Sequence, residues 1–145
     1  MPANTDKRRK TREALMQMLY QMEVQGDFSE EARKSFMERF LEDGSDVKYF
    51  EAAFNAYINN NNDIDDLIES YSKGWKLDRL AKVDLSVLRL AVAEMLYLKD
   101  GSIPPAVSIN EAAELAKSFG TDGSASFVNG ILGRIIRSKA KEEDK

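Results

Sequence analysis

Apolar residues recur along this chain at intervals of three and four, the spacing of helices that turn one face to a core, and nowhere alternate convincingly with period two. Leu15, Met18, Leu19 and Met22, with Ala14 beside them, predict an amphipathic helix over residues 7–25 that Gly26 closes. Ala32, Phe36, Met37, Phe40 and Leu41 predict a second, capped by Asp27 or Ser29. Phe50, Ala53, Phe54, Tyr57 and Ile58 predict a third, ended by the asparagine run 59–62 acting as a connector. Asp63 is the expected N-cap of a fourth, with Ile64, Leu67, Ile68 and Tyr71 on its apolar face.

Over residues 83–98 the apolar positions run nearly all the way round, which predicts a helix buried on most sides and marks it as the hub of the core. Only Lys82, Ser86, Arg89 and Tyr97 form a stripe expected to reach water. A loop follows at Asp100, Gly101, Ser102, Pro104 and Pro105. Ser108 and Glu111 fit a capping box at the start of a helix over 109–118. After Gly120 and a polar loop over 121–126, Phe127, Val128, Ile131, Leu132, Ile135 and Ile136 predict the last helix. Gly130 and Gly133 lie inside it, which suggests close backbone packing. The tail 138–145 is expected to be disordered. The sum is an all-α fold, a compact bundle of about seven helices in two halves around one core, read as a single domain over 1–145.

Composition narrows the chemistry. The chain has 145 residues, 43% hydrophobic and 32% charged, with no cysteine and no histidine. Disulfides, thiol nucleophiles, the commonest general base and the usual zinc ligands are therefore absent. No glycine-rich phosphate loop occurs. The acids Asp63, Asp65, Asp66 and Glu69 lack the turn glycine and ligand order of a calcium loop, so no metal or cofactor is expected. Carboxylates alone can catalyse hydrolysis, but nothing singles out a pair among 25 acids, and an enzyme is the weaker reading. No apolar run approaches the length that crosses a bilayer, and a cytoplasmic protein is expected.

Charge is unevenly placed. Against a net charge of -4, Lys7, Arg8, Arg9, Lys10 and Arg12 gather at the front; without them 16 basic residues face 25 acidic ones. Arg8 and Arg12 share the stripe of Leu15, Leu19 and Met22, so the first turns are expected to project beyond the core. Cations at a helix N-terminus oppose the helix dipole, which makes a bound phosphate an attractive reason for them. Phe119 and Phe127, flanking the polar loop, suit stacking on unpaired bases, although both also fit the apolar stripes of their helices. A helix-turn-helix reader of DNA fits less well, since the charge does not lie along a second helix after a tight turn.

Lys7-Arg8-Arg9-Lys10-Thr11-Arg12-Glu13-Ala14-Leu15, then Trp75, Arg79, Val83-Asp84, Leu88-Arg89-Leu90-Ala91 and Glu94, then residues 109–117 and 127–132, resemble in this order the NusB family of bacterial antitermination factors. Residues 26–74 match only in helical character. The resemblance implies a non-enzymatic RNA-binding factor that joins NusE, the small-subunit ribosomal protein, to bind boxA single-stranded RNA in nascent ribosomal RNA. It thereby supports the RNA polymerase antitermination complex. It places RNA contacts at Lys7, Arg8, Arg9, Lys10 and Arg12 and at Phe119, Gly120 and Phe127. A NusE-facing surface would include Tyr20, Asp78 and Asp84, whose acids suit a basic partner. Some members self-associate, so a homodimer belongs among the partners the resemblance allows. The competing reading is a protein–protein scaffold that does not touch RNA.

Overall fold

The computed structural model describes residues 2–98 and 103–143. Seven α-helices follow one another: α1 (Pro2–Gln25), α2 (Glu30–Phe40), α3 (Val47–Asn59), α4 (Asn61–Ser70), α5 (Lys82–Val92), α6 (Pro105–Phe119) and α7 (Ser124–Glu143). A 3-10 turn, Leu77–Arg79, precedes α5, and a π-helical turn, Ala93–Tyr97, continues it. Among the described residues there is no strand.

The all-round apolar stretch is indeed the hub. α5 packs against α1, α3, α4, α6 and α7, and Val87, Leu88 and Val92 are wholly buried. Of the expected water-facing stripe Lys82 is exposed and Tyr97 half-buried, but Ser86 and Arg89 are buried. Ser86 Oγ donates back to the Lys82 carbonyl at 2.8 Å. Arg89 donates Nε and Nη2 to Asp65 at 3.0 Å each and Nη1 to Glu23 at 2.7 Å, while its guanidinium lies over the Phe28 and Tyr57 rings. An arginine can sit inside when carboxylates take its fork of donors and aromatic faces take its plane. Two of the acids among Asp63, Asp65, Asp66 and Glu69 serve the fold: Asp65 holds Arg89, and Glu69 accepts from Leu77 N–H at 2.7 Å.

Helix boundaries depart from the sequence reading where turn chemistry competes. The asparagine run is not a connector: only Asn60 stands between α3 and α4, its side-chain amide donating to the Ala56 carbonyl at 2.9 Å while its own carbonyl accepts from Ile64. Asp63 lies in the first turn of α4 rather than at its cap. α6 begins at Pro105, because proline is pre-set for the first helical position, so Ser108 and Glu111 fall inside the helix and form no capping box. Ser29 does cap α2, accepting from Ala32 N–H at 3.1 Å. α7 continues through residues 138–143, where lysine, alanine and glutamate favour helix and Lys139 pairs with Glu142 at 3.6 Å. Gly130 and Gly133 meet no foreign backbone; the guanidinium groups of Arg134 and Arg137, one turn on, fold over them. The loop expected at Asp100, Gly101 and Ser102 lies outside the described residues.

Candidate nucleic-acid interface

The basic end of α1 does not project. Arg8 and Arg12, one turn apart, point inward and find acids from distant parts of the chain. Arg12 is 6% exposed and donates Nε and Nη2 to the two oxygens of Glu94 at 2.8 and 3.2 Å, with Nη1 3.4 Å from Glu111. Glu94 comes off the π-helical turn into the interior, where the hydroxyls of Tyr49 and Ser108 also donate to its carboxylate. Each of its two oxygens therefore accepts twice. Burial, and then the Glu94 charge, push the Tyr49 phenol well up, so it stays a neutral donor.

Arg8 is half-buried. Its Nε and Nη2 donate to Asp46 at 3.1 and 3.0 Å, and its plane lies 4.3 Å from the Tyr49 ring centroid. Asp46 also caps α3, accepting from Tyr49 N–H at 3.1 Å, and Thr11 Oγ1 accepts from Asp46 N–H at 3.0 Å. Arg9 is the half-exposed one, its side chain 48% accessible, with Nε and Nη2 on the two oxygens of Glu111 at 3.0 and 2.7 Å. The Arg9 hydrogen bonds outweigh partial burial and hold the Glu111 carboxyl below the usual carboxylate range. Lys7 and Lys10 are exposed and line a cavity together with Asp6, Glu42 and Asp43. Thus the structure brings all five predicted cations to one helix end, with Lys7, Arg9 and Lys10 exposed, Arg8 about a third accessible at 30% of its side chain, and Arg12 buried. The neighbouring acids temper even the exposed ones.

Glu111, clasped by Arg9, and Phe119 stand eight residues apart on α6, about 12 Å along the helix axis. α6 is therefore the rail between the basic end and the aromatic end. Phe119 is 39% exposed at the close of α6, and Gly120 follows it. A Cβ on Gly120 would stand 2.5 Å from Ser124 Oγ and 2.7 Å from the Ala116 carbonyl oxygen, so the loop can fold back only over a glycine. Ser124 Oγ in turn accepts from Thr121 N–H at 3.0 Å. Phe127, half-buried, packs on the core and lines a cleft of about 340 Å³ together with Trp75, Arg79 and Asp84.

The three residues expected to face a protein partner do not share one cavity. Tyr20 is 40% exposed on a groove between α1 and α2 with Val24, Phe36 and Phe40. Asp78 is exposed on the 3-10 turn, and Asp84 is a buried wall of the Phe127 cleft. Sequence reasoning missed Asp46, Tyr49, Glu94 and Glu111 as partners of the arginines, and Ser108 as a donor to Glu94. One signal was available: Glu94 is an acid inside the all-apolar run and Arg8 and Arg12 are cations on an apolar stripe, and opposite charges on two buried faces call for each other.

Comparisons with known proteins concern the chain as a whole. A model described as the NusB family matches residues 9–137. The transcription antitermination protein NusB of Acetivibrio thermocellus is 43% identical over 137 residues, which cover 94% of this chain and 93% of that one. Among solved structures, T. maritima NusB superposes with a TM-score of 0.76 at 41% identity, covering 89% of each chain. A chain from the crystal structure of antitermination factors NusB and NusE in complex with dsRNA superposes with a TM-score of 0.80 at 27% identity, covering 92% of this chain and 98% of that one.

Proposed function

The chain belongs to the NusB family, and from that premise we propose how it acts as an antitermination factor. Together with NusE it binds boxA RNA of nascent ribosomal RNA and supports antitermination by RNA polymerase. Its contribution is recognition in the cytoplasm, with no catalytic step. Phosphates meet Lys7, Arg9 and Lys10, and bases meet Phe119 and Phe127. Arg8 and Arg12 act from behind, fixing the pitch and height of the helix that carries the exposed cations.

The observation that carries this reading is the exposure of Lys7, Arg9 and Lys10 on the first turns of a helix that Arg12 anchors in the core and Arg8 ties to Asp46. A rooted helix offers these charges without the ordering cost of a loose tail. The Arg9–Glu111 clasp supports a track along α6, since it ties the cation to the helix that carries Phe119. Tyr20 and Asp78 remain the proposed NusE-facing positions, the acid suiting a basic ribosomal protein.

Binding to a boxA-like RNA, measured across a salt series with and without NusE, tests the reading. Lys7→Ala/Lys10→Ala flattens the slope of log K against log salt by roughly 0.7 for each lost phosphate contact. An unchanged slope removes the phosphate assignment. Capture of NusE with no RNA bound by either the chain or the pair would leave a protein scaffold instead.

A further inference from the structure

Gly130 and Gly133 interrupt α7 with no neighbouring backbone to explain them. Each is covered by an arginine one turn on: Arg134 Nη1 lies 3.3 Å from where a Gly130 Cβ would stand, and Arg137 Nη1 lies 3.1 Å from that of Gly133. A side chain at either glycine would crowd the guanidinium above it. Long side chains on a helix lean toward its N-terminus, and the bare backbone lets these two lie flat, back toward Phe127. Phe127, Gly130, Arg134, Arg137 and Lys141 follow at intervals of three and four, so they share one stripe of α7. Measured from Phe127, Arg134 stands about 10 Å along the axis and Lys141 about 21 Å.

The cations of this stripe are held differently from those of α1. Arg8, Arg9 and Arg12 each grip a carboxylate. Among the described residues no carboxylate pairs with Arg134, Arg137 or Lys141. Arg134 donates Nη2 to the Tyr71 carbonyl at 2.9 Å, a neutral acceptor that fixes the group and leaves its charge whole. Arg137 and Lys141 are exposed. Asp84 and Asp122 stand at the Phe127 end, in the cleft, and Glu142 is taken by Lys139. A cation in the last turn suits the helix dipole, which accounts for Lys141; that field fades within a turn and does not account for Arg134 or Arg137. Uncompensated cations in line with an aromatic ring match a strand that carries both unpaired bases and a row of phosphates, whereas an acidic peptide supplies only the charge. We propose that this stripe is a second phosphate track, along which RNA whose base stacks at Phe127 continues, its backbone meeting Arg134, Arg137 and Lys141. α7 packs on α6 across a short loop and runs back along it, so the strand rounds residues 120–123 to reach the track. The proposal rests on the RNA-binding reading above, and adds RNA beyond the stretch met by Lys7, Arg9 and Lys10.

A boxA-like RNA extended at each end with oligouridine reaches both tracks. Binding across a salt series compares the wild type with Arg137→Gln/Lys141→Gln and with Lys34→Gln/Arg39→Gln, which removes two exposed cations from α2 instead. All four side chains are exposed and glutamine favours helix, so both variants are expected to keep the wild-type circular dichroism spectrum. The α7 variant should flatten the slope of log K against log salt by roughly 0.7 for each lost contact and weaken binding about tenfold or more near 0.1 M salt, while the α2 variant changes neither. An α7 variant that binds as the wild type does overturns the track. If Lys7→Ala/Lys10→Ala still flattens the slope in that case, the RNA-binding reading stands; if the wild type binds no RNA, that reading falls with the track. Equal weakening in the two glutamine variants would mark a general effect of charge and also overturn the proposal. Loss of NusE capture in the α7 variant, with the RNA slope intact, would give the stripe to a protein and overturn it as well.

Discussion

Replacing Glu94 by Gln keeps the shape of the side chain and removes one charge from the centre of the arginine network. Glu94 is 4% exposed and takes two hydrogen bonds from Arg12 and one each from Tyr49 and Ser108. The glutamine retains one acceptor oxygen and turns an NH2 group toward donors. Arg12 then keeps only its 3.4 Å contact with Glu111 as an ion pair, and Arg9 already shares that acid. Breaking one half of a buried pair costs about 3–5 kcal/mol, and because Glu111 remains in reach, the lower end of that range applies, ~3 kcal/mol. For a domain of this size such a loss lowers the melting temperature by roughly 6–12 °C. Urea unfolding followed by far-ultraviolet circular dichroism measures it. The decisive companion is Arg12→Met/Glu94→Gln, in which no buried charge is stranded. The double variant should be more stable than the sum of the single losses implies, by at least about 1 kcal/mol. A Glu94→Gln loss below ~1 kcal/mol, or strictly additive single losses, refutes the view that these two groups hold one another in the core.

Other consequences are as direct. Arg12→Met should lower stability while leaving the salt slope of RNA binding at its wild-type value, because a buried guanidinium releases no counterion; a flattened slope in the folded variant would show that Arg12 reaches RNA. Glu111 has a folded-state pKa below its ordinary value of 4.5, so its stabilising contribution is complete above that value and is lost as pH falls through the lowered one. Accordingly, the stability gap between wild type and Glu111→Gln, followed by urea unfolding from about pH 6 to about pH 3, should close toward the acid end. Gly120→Ala forces a Cβ against the Ala116 carbonyl, and overpacking of this kind costs on the order of 1–3 kcal/mol by the same unfolding assay. Leu88→Ala, at the wholly buried centre of α5, should cost roughly 2–5 kcal/mol.

Periodicity makes the helices and the hub legible, since the apolar stripes of α1, α3, α5 and α7 are local facts. What it cannot supply is the fate of charges on those stripes. Arg8 meets an acid 38 residues away, Arg12 one 82 away and Arg9 one 102 away. No local pattern carries those separations, so of the two arginines on the stripe, expected to project, Arg12 is held inside and Arg8 is half-buried. The same limit hides the real work of Ser108 and Glu111. Their spacing fits a capping box, but Pro105 starts the helix a turn earlier and releases both side chains for the network. The aromatic half of the site is more readable: Phe119 and Phe127 flank a polar loop as the sequence suggests, whereas the cleft that joins Phe127 to Trp75 and Asp84 depends on how α5 and α7 meet.

The Arg9–Glu111 clasp also bears on how the protein moves among the many RNAs it should ignore. At a distance beyond one Debye length, about 8 Å in physiological salt, an arginine with its carboxylate presents the field of a dipole rather than of a charge. A chain whose net charge is -4 thus exerts little long-range pull on stray polyanions, and its cations become felt only at contact. Encounter is slower as a result, but fewer encounters are with the wrong strand: the protein trades speed of capture for silence toward the bulk of cellular RNA.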